Sequence, residues 1–219
     1  ENLNLILPEI FISLSVMFLL VLGVFKKESS KLIFNLSLFV ILITMIITIN
    51  ETFSVNRVTL FNQSVVIDHM STFMKIITLI GGFLVLVISS SYLKTFKLYN
   101  IEYPILILSS ILGMMVMISS NDLIVFYMGL ELQSLALYVL ATYNRDQLKS
   151  SEAGLKYFVL SALSSGLLLY GCSLVYGFSG STNFDLISNQ LNSNEYVLTF
   201  GIVFILVGLA FKISAVPFH

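Results

Sequence analysis

The sequence predicts an all-α polytopic membrane protein with about seven transmembrane helices. Hydrophobic residues make up 57% of its 219 positions and charged residues only 11%, whereas soluble domains contain about 45–50% and about 25%, respectively. The mean hydropathy is +0.97. So few charges cannot cover a water-facing surface, and a disordered chain needs the opposite balance of residues. The composition therefore excludes both of these classes of protein.

Seven apolar stretches are long enough to cross a hydrocarbon core, which takes about 20 residues of helix. Polar connections such as 26–30 and 180–195 separate them. No alternating pattern typical of a membrane barrel occurs, so the spans are predicted to be helices. In chain order the predicted spans are Leu3–Phe25, Leu32–Ile49, Asp68–Leu93, Tyr103–Ser120, Asp122–Ala141, Glu152–Phe178 and Tyr196–His219. The first three form an N-terminal membrane segment, residues 1–100, and the others belong to residues 101–219.

The distribution of Lys and Arg predicts how the helices are oriented. Cytoplasmic or matrix loops are enriched in these residues, and seven of the 11 lie in the loops on one side of the predicted bundle. The seven are Lys26, Lys27, Lys31, Lys94, Lys97, Arg145 and Lys149. The loops on the other side contain only Arg57, which places the N-terminus on the outer side. The remaining three lysines, at positions 75, 156 and 212, fall inside apolar spans.

Several classes of function are excluded by simple counts. A net charge of −1 provides no basic field for nucleic acid. The only cysteine, Cys172, excludes disulfide scaffolds, cysteine-ligated zinc and self-contained iron–sulfur clusters. The glycines form no nucleotide-binding motif. Neither a cofactor site nor a metal site is therefore predicted, which leaves the charges within the membrane as the candidate functional groups.

Glu131 is the first of these charges. It follows Asp122 by nine positions, or about 13 Å along a helix, too deep for its short side chain to reach water. Tyr127, Ser134 and Tyr138 lie on the same helical face, so the face is predicted to contact other helices or a wet cavity rather than lipid. We interpret Glu131 as a proton-handling group; a protonated glutamate that serves only packing is the alternative.

Lys212 is the second candidate and lies 16 residues into the last span. Pro217 lacks an N–H and clashes with the carbonyl four residues before it, so it predicts a helix break just beyond Lys212. Free carbonyls at the end of the upstream half-helix favour an ammonium group, and interrupted helices mark ion sites in transporters. We expect Lys212 to face Glu131 as a charge-coupled switch. A lysine that merely extends to the interface is the alternative.

The other titratable residues have simpler interpretations. Lys156 follows Glu152 by four residues, so it is either a functional lysine or half of an exposed ion pair. Lys75 is expected to extend its ammonium to the outer interface. His69 is expected to be interfacial, because one histidine makes no metal site. His219 is a possible extension of a proton path, together with Tyr127, Ser134 and Tyr138.

Three motifs resemble chain 2 of the NADH–ubiquinone oxidoreductase family, respiratory complex I. Residues 129–135 (GLELQSL) resemble its fifth span, and residues 152–158 (EAGLKYF), with Ser164-Ser165-Gly166, resemble the next. Residues 211–219 (FKISAVPFH) resemble its interrupted seventh span. The likeness is weak from Leu3 to Thr95 and strong from Pro104 onward. Residues 101–219 then look like an incomplete antiporter-like proton-translocation module.

This resemblance implies proton translocation coupled to NADH oxidation and ubiquinone reduction. It assigns translocation roles to Glu131, Lys212 and Lys156, and the helix break to Pro217. The NADH, FMN, iron–sulfur clusters and ubiquinone of such a complex are expected on other chains. The expected partners are other membrane subunits of the complex and the lipid bilayer. A cation/proton antiporter subunit and a passive hydrophobic scaffold remain the alternative functions.

The sequence departs from the family at its C-terminus. The family continues past the broken helix through further spans, whereas this chain stops at His219 within an apolar segment. An end buried in lipid leaves backbone groups unpaired, so we expect a C-terminal partner chain, or the remainder of the same subunit, to dock there. A composition without Trp and rich in Phe is typical of AT-rich genes. It predicts the mitochondrial inner membrane or, alternatively, a bacterial plasma membrane.

Overall fold

The computed structural model describes residues 3–25, 30–52, 57–190 and 196–216, and these residues are predominantly helical. A short 3-10 helix, Leu3–Ile6, leads into α1. The eight α-helices are α1 Leu7–Phe25, α2 Ser30–Thr52, α3 His69–Thr95, α4 Glu102–Ile118, α5 Leu123–Ala141, α6 Leu148–Ser179, α7 Phe184–Gln190 and α8 Tyr196–Lys212. All seven predicted spans coincide with one of these helices. The short α7 lies in a connection that was predicted to be loop.

Among the described residues, five helices are long and apolar enough to cross a membrane: α1, α2, α3, α5 and α6. The other two predicted spans correspond to α4 and α8, which have 17 residues each, or about 25 Å of helix. The last predicted span extended to His219, but α8 ends at Lys212. The helix break predicted at Pro217 lies outside the described residues.

The connection between α2 and α3 contains a β-hairpin, where only a polar loop was predicted. Strand β1, Val58–Leu60, pairs antiparallel with β2, Val65–Ile67. Branched residues of this kind favour strands, and their short runs were overlooked inside a polar stretch. Leu60 and Ile67 pack on Leu5, so the hairpin covers the N-terminal end of α1. We refer to this end of the bundle as the hairpin end.

Polar side chains join three connections at the hairpin end. The side-chain amides of Asn121 and Asn183 each donate a 3.0 Å hydrogen bond to the carbonyl of Gln63 at the hairpin tip. Asp122 caps α5 by accepting the backbone N–H of Ile124, and its other carboxylate oxygen accepts the Thr182 hydroxyl. An aspartate at this position satisfies backbone donors that the first turn of a helix leaves free. These bonds fix where α5 begins.

Two of the three loops predicted to be positive meet at the opposite end, and Lys26 and Lys27 of the other loop lie outside the described residues. Arg145, after α5, pairs with Glu102 at the start of α4 at 3.0 Å, and the rings of Tyr103 and Tyr143 pack edge to face. Burial, and then the nearby Glu102 carboxylate, raise the pKa of the Tyr143 phenol to about 12. The two loops therefore lie on one side of the bundle, as the Lys/Arg distribution predicted.

Two apolar cores hold the helices together. Residues of α1 to α4 form the first, and residues of α5, α6 and α8, with Ile187 of α7, form the second. The backbones of α6 and α8 approach closely at Gly208, where an added Cβ would lie 2.6 Å from the Cβ of Leu168. The Ser164 hydroxyl also donates to the Gly208 carbonyl at 3.0 Å. Small residues allow such close packing in membranes, and this contact places the end of α8 against α5 and α6.

Candidate functional site

One face of α5 supplies three polar groups to the interior. Glu131, Ser134 and Tyr138 recur at spacings of three and four, so their side chains lie above one another. Ser134 and Tyr138 are buried, and the Glu131 side chain is 20% exposed. The Ser134 hydroxyl also lies close enough to donate to the Leu130 carbonyl. The polar stripe predicted from the sequence is therefore turned away from lipid.

Lys212 is the last residue of α8, and the backbone turns sharply after it. Ser214 has a left-handed φ of 54°, its N–H donates to Phe211 O at 3.0 Å, and the N–H of Ala215 donates to Ala210 O at 2.8 Å. This pair of bonds is the Schellman termination of a helix. The negative end of the helix dipole lies beside a lysine placed there. The helix thus ends at Lys212.

The Lys212 ammonium contacts all three polar groups of α5. Its Nζ lies 3.3 Å from Glu131 Oε1, 2.8 Å from Ser134 Oγ and 2.9 Å from the Tyr138 hydroxyl. An ammonium has three N–H donors, so each has an acceptor. The Lys212 side chain is 11% exposed, and its Nζ also lies 5.5 Å from the centroid of the Tyr138 ring. We call these four residues the Lys212 cluster.

A cavity of about 320 Å³ adjoins the Lys212 cluster. Lys212 and Ser134 line it together with Gln133, Tyr157 and apolar residues of α4, α5 and α8. Sequence reasoning missed Gln133 and Tyr157, although an amide beside Glu131 in an apolar helix was a usable signal. Tyr157 packs edge to face on Tyr138 with ring centroids 4.8 Å apart. The cavity has room for several water molecules beside the ammonium.

The remaining predicted site residues do not join the cluster. Lys156 is 67% exposed and pairs with Glu152 at 2.6 Å on the surface of α6. Tyr127 is half-buried and packs against the core of α5, α6 and α8. Pro217 and His219 lie outside the residues that the structure describes. Among the described residues, no group of three His, Cys, Asp or Glu side chains could hold a metal ion.

The prediction for Lys75 was wrong. Its side chain does not extend to the interface but is fully buried, with Nζ 2.6 Å from Glu9 Oε1 of α1. The pairing depends on how α1 and α3 pack, which the sequence does not reveal. Glu9, in the first turn of α1, was assigned no role from the sequence. Sequence reasoning therefore missed both the depth of Lys75 and the role of Glu9 as its partner.

The fold and the Lys212 cluster agree with a family match. Residues 120–219 match the family model described as NADH:quinone oxidoreductase/Mrp antiporter, TM. This part of the chain is similar to antiporter-like membrane subunits, and the chain is a multi-pass membrane protein. The predicted fold class is thereby confirmed.

Two relatives carry the name of one subunit. The chain is 72% identical over its whole length to NADH-quinone oxidoreductase subunit N of Pelagibacter ubique (strain HTCC1062), and it covers 46% of that protein. It is 53% identical to the subunit N of Bartonella bacilliformis (strain ATCC 35685 / KC583 / Herrer 020/F12,63), again over its whole length and over 45% of the relative. The chain thus spans about half the length of these relatives.

A solved structure shows the same fold. The chain aligns with a chain of respiratory complex I from Thermus thermophilus with a TM-score of 0.79 and 24% identity. The alignment covers 97% of this chain and 45% of that one. At this identity the match supports the helix arrangement alone.

Proposed function

We propose that the chain is part of a proton-translocating membrane subunit of NADH:quinone oxidoreductase, in which Lys212 carries a proton and Glu131 controls its release. The observation that carries this proposal is the coordination of Lys212. A buried ammonium with three acceptors is stabilised as a cation, so weakening one contact favours loss of its proton. The cluster therefore has two states that differ by one proton.

Glu131 is the partner best suited to control this change. Its carboxylate lies farther from Nζ than either hydroxyl does, but it carries the only full negative charge in the cluster. Coulomb attraction depends on separation and on the low dielectric of the interior. A small movement of α5 relative to α8, or protonation of Glu131, would then release the Lys212 proton into the adjoining cavity. Ser134 and Tyr138 orient the amine throughout.

Lys156 and Tyr127 have secondary places in this proposal. Lys156 precedes Tyr157, which lines the cavity. We therefore assign Lys156 to proton delivery from the side of the bundle where the Lys- and Arg-rich loops lie. Tyr127 lies one helical turn before Glu131 and is assigned to hydrogen bonding of internal water. His219 keeps its proposed relay role because of its position beside the predicted helix break.

The partners and the location follow from the relatives. The proposed partners are other membrane subunits of the oxidoreductase and the remaining part of subunit N, whose known relatives are about twice as long. NADH, FMN, iron–sulfur clusters and the quinone are assigned to other chains. Because these relatives are bacterial, we propose the bacterial plasma membrane rather than the mitochondrial inner membrane.

Two other functions compete with this one. The first is cation/proton exchange, because the description of the family model also names Mrp antiporters. An antiporter subunit would use the same Lys212 cluster but would have different partner subunits. Co-purification with an NADH-oxidising activity separates the two. A passive scaffold is disfavoured, because it gains nothing from burying an ammonium and a carboxylate at this cost.

The experiment that tests the proposal uses the complete complex in inside-out vesicles. Glu131→Gln and Lys212→Ala should each lower proton uptake during NADH oxidation by at least about tenfold, given the charge-assisted contacts they remove. Glu131→Asp should have a milder effect because it keeps the charge. Lys97→Ala, at the exposed end of α3, is the matched control. Wild-type pumping and turnover in an assembled Glu131→Gln complex would refute the proposal.

A further inference from the structure

A second buried pair of opposite charges lies outside the Lys212 cluster. Lys75 of α3 is fully buried, and its Nζ lies 2.6 Å from Oε1 of Glu9, whose side chain is 10% exposed. Both residues precede position 120, where the match to the family model begins. The function proposed above uses neither residue. Their retention in the apolar interior therefore requires a separate explanation.

The coordination of this pair differs from that of Lys212. Whereas Lys212 has three acceptors, the Lys75 ammonium has the one Glu9 oxygen as its partner among the described residues. The second oxygen, Glu9 Oε2, is buried and accepts no hydrogen bond from them. A carboxylate can accept several bonds, and an under-coordinated buried ion pair is less favourable than apolar packing. Oε2 is therefore a buried position at which a proton can bind.

The hairpin end of α3 offers access to the pair. Asp68, Ser71 and Thr72 lie seven, four and three residues before Lys75, on the same helical face. Asp68 caps α3, and the Ser71 N–H donates to its carboxylate at 2.7 Å. Asp68 and Ser71 also line a cavity of about 470 Å³ with Arg57. A run of polar groups thus leads from this cavity to the pair.

In the opposite direction, beyond Lys75, the same face of α3 is mostly apolar. The same face continues from Lys75 with Leu79, Gly82 and Leu86, all buried. Leu79 and Leu86 belong to the apolar core of α1 to α4, and the Ile111 side chain occupies the space beside Gly82. Thr78 is the exception, and its hydroxyl donates to the Lys75 carbonyl at 2.8 Å. The polar groups of this face of α3 therefore continue without interruption only toward the hairpin end.

Few other titratable groups are near the pair in the described part of the chain. On α3, Asp68 is the cap and His69 is exposed, while Arg57 at the cavity lies 3.7 Å from Asp185. The first 3-10 helix and β2 carry no charged residue, and α1 carries only Glu9. The remaining groups with a described side chain, at the far ends of α2, α3 and α4, are Lys31, Tyr92, Lys94, Glu102 and Tyr103; Glu51, near the hairpin end of α2, is outside this set. Asp68 is therefore the ionisable group closest along the access route.

We propose that Glu9 and Lys75 form a second proton-exchange site, open only to the hairpin end of the bundle through the cavity at Asp68. In the loading step, a proton from the aqueous phase passes through the cavity and forms an O–H bond at Glu9 Oε2. Lys75 keeps its own three protons. Release reverses the step and restores the carboxylate that pairs with the ammonium. The site lies in the predicted outer half of the membrane.

The test is infrared spectroscopy of the whole complex in sealed vesicles of both orientations. The probe is the proton itself, applied as a pH jump on one side, and the signal is the carbonyl band of a protonated glutamate. We expect the band to respond to pH on the hairpin side only and to be missing in Glu9→Gln. Because that variant leaves an unpaired buried ammonium, Glu9→Gln/Lys75→Met is the second variant, and it should lack the band as well.

Asp68→Asn tests the access route without touching the pair. Asn is as good a helix cap as Asp, so α3 is preserved while the ionisable group is lost. We expect proton exchange at Glu9 to slow by about 100-fold, the scale of a positioned proton-transfer group. Lys212→Ala should leave the Glu9 band unchanged, so failure of this inference is distinguishable from failure of the proposed function.

Three results would overturn the inference. The first is a wild-type complex without a pH-dependent band that is sensitive to Glu9→Gln. The second is a band that follows pH on the other side of the membrane. The third is unchanged exchange in Asp68→Asn. The first would leave the pair as a static contact between α1 and α3, and the other two would rule out the access route through the cavity at Asp68.

Discussion

Removal of one hydroxyl from the Lys212 cluster tests the role of coordination directly. Tyr138→Phe deletes the acceptor 2.9 Å from Lys212 Nζ and keeps the aromatic ring. The ring contacts with Tyr157 and Phe158, at 4.8 and 5.6 Å between centroids, need no change. The Nζ–ring contact at 5.5 Å also remains. The substitution therefore isolates a single hydrogen bond to a charged group.

The size of the effect follows from that bond. A hydrogen bond to a charged partner contributes about 1.5–3 kcal/mol, and every 1.4 kcal/mol is tenfold in an equilibrium constant. Loss of the hydroxyl should then reduce the ratio of protonated to neutral Lys212 by a factor of about 12 to 140. Ser134 and Glu131 still bind the amine, so the loss is smaller than in Lys212→Ala.

The assay is proton uptake into inside-out vesicles, followed with a pH-sensitive dye during NADH oxidation. Uptake by the Tyr138→Phe complex should fall about tenfold or more, while NADH oxidation with an artificial electron acceptor stays normal. Tyr170→Phe is the matched control, because Tyr170 lies on the exposed surface of α6. Equal uptake in wild type and Tyr138→Phe, or an equal loss in the control, would show that this coordination does not govern translocation.

Three further substitutions have defined expectations. Lys156→Ala should reduce proton uptake less than Lys212→Ala does in the same vesicles, because an exposed ion pair such as Lys156–Glu152 contributes only about 0–1 kcal/mol. An equal loss of uptake in the two variants would contradict the peripheral position of Lys156. Gly208→Leu should destabilise the contact between α6 and α8 by about 1–3 kcal/mol through overpacking, which is measured as a lower yield of assembled complex. Gly166→Ala places its methyl group in open space, so this variant should assemble normally. Asp122→Ala should lower the free energy of unfolding by about 0.5–2 kcal/mol through the lost cap of α5, seen as a lower midpoint of thermal unfolding in detergent. Asp122→Asn should keep most of the wild-type stability. Similar midpoints for wild type and both variants would contradict the capping role.

Composition and spacing were enough to predict the membrane fold and part of the site. Apolar runs of about 20 residues admit few structures in a bilayer, because every backbone polar group there must be paired within the chain. The helical repeat likewise placed Glu131, Ser134 and Tyr138 on one face. These are local properties of the chain, so they can be inferred without knowing which helices are neighbours. The short hairpin of residues 58–67 was missed because its strands are only three residues long.

The pairing of charges was decided by tertiary structure. Lys75 and Lys212 are both lysines in apolar spans, yet one meets a lone carboxylate of α1 and the other meets three acceptors of α5. Lys212 and Glu131 are 81 residues apart in the sequence, and no local pattern states which helix packs against which. A buried charge is stabilised only by groups within a few ångströms. The sequence by itself therefore determined which charges are costly, and helix packing determined which partners stabilise them.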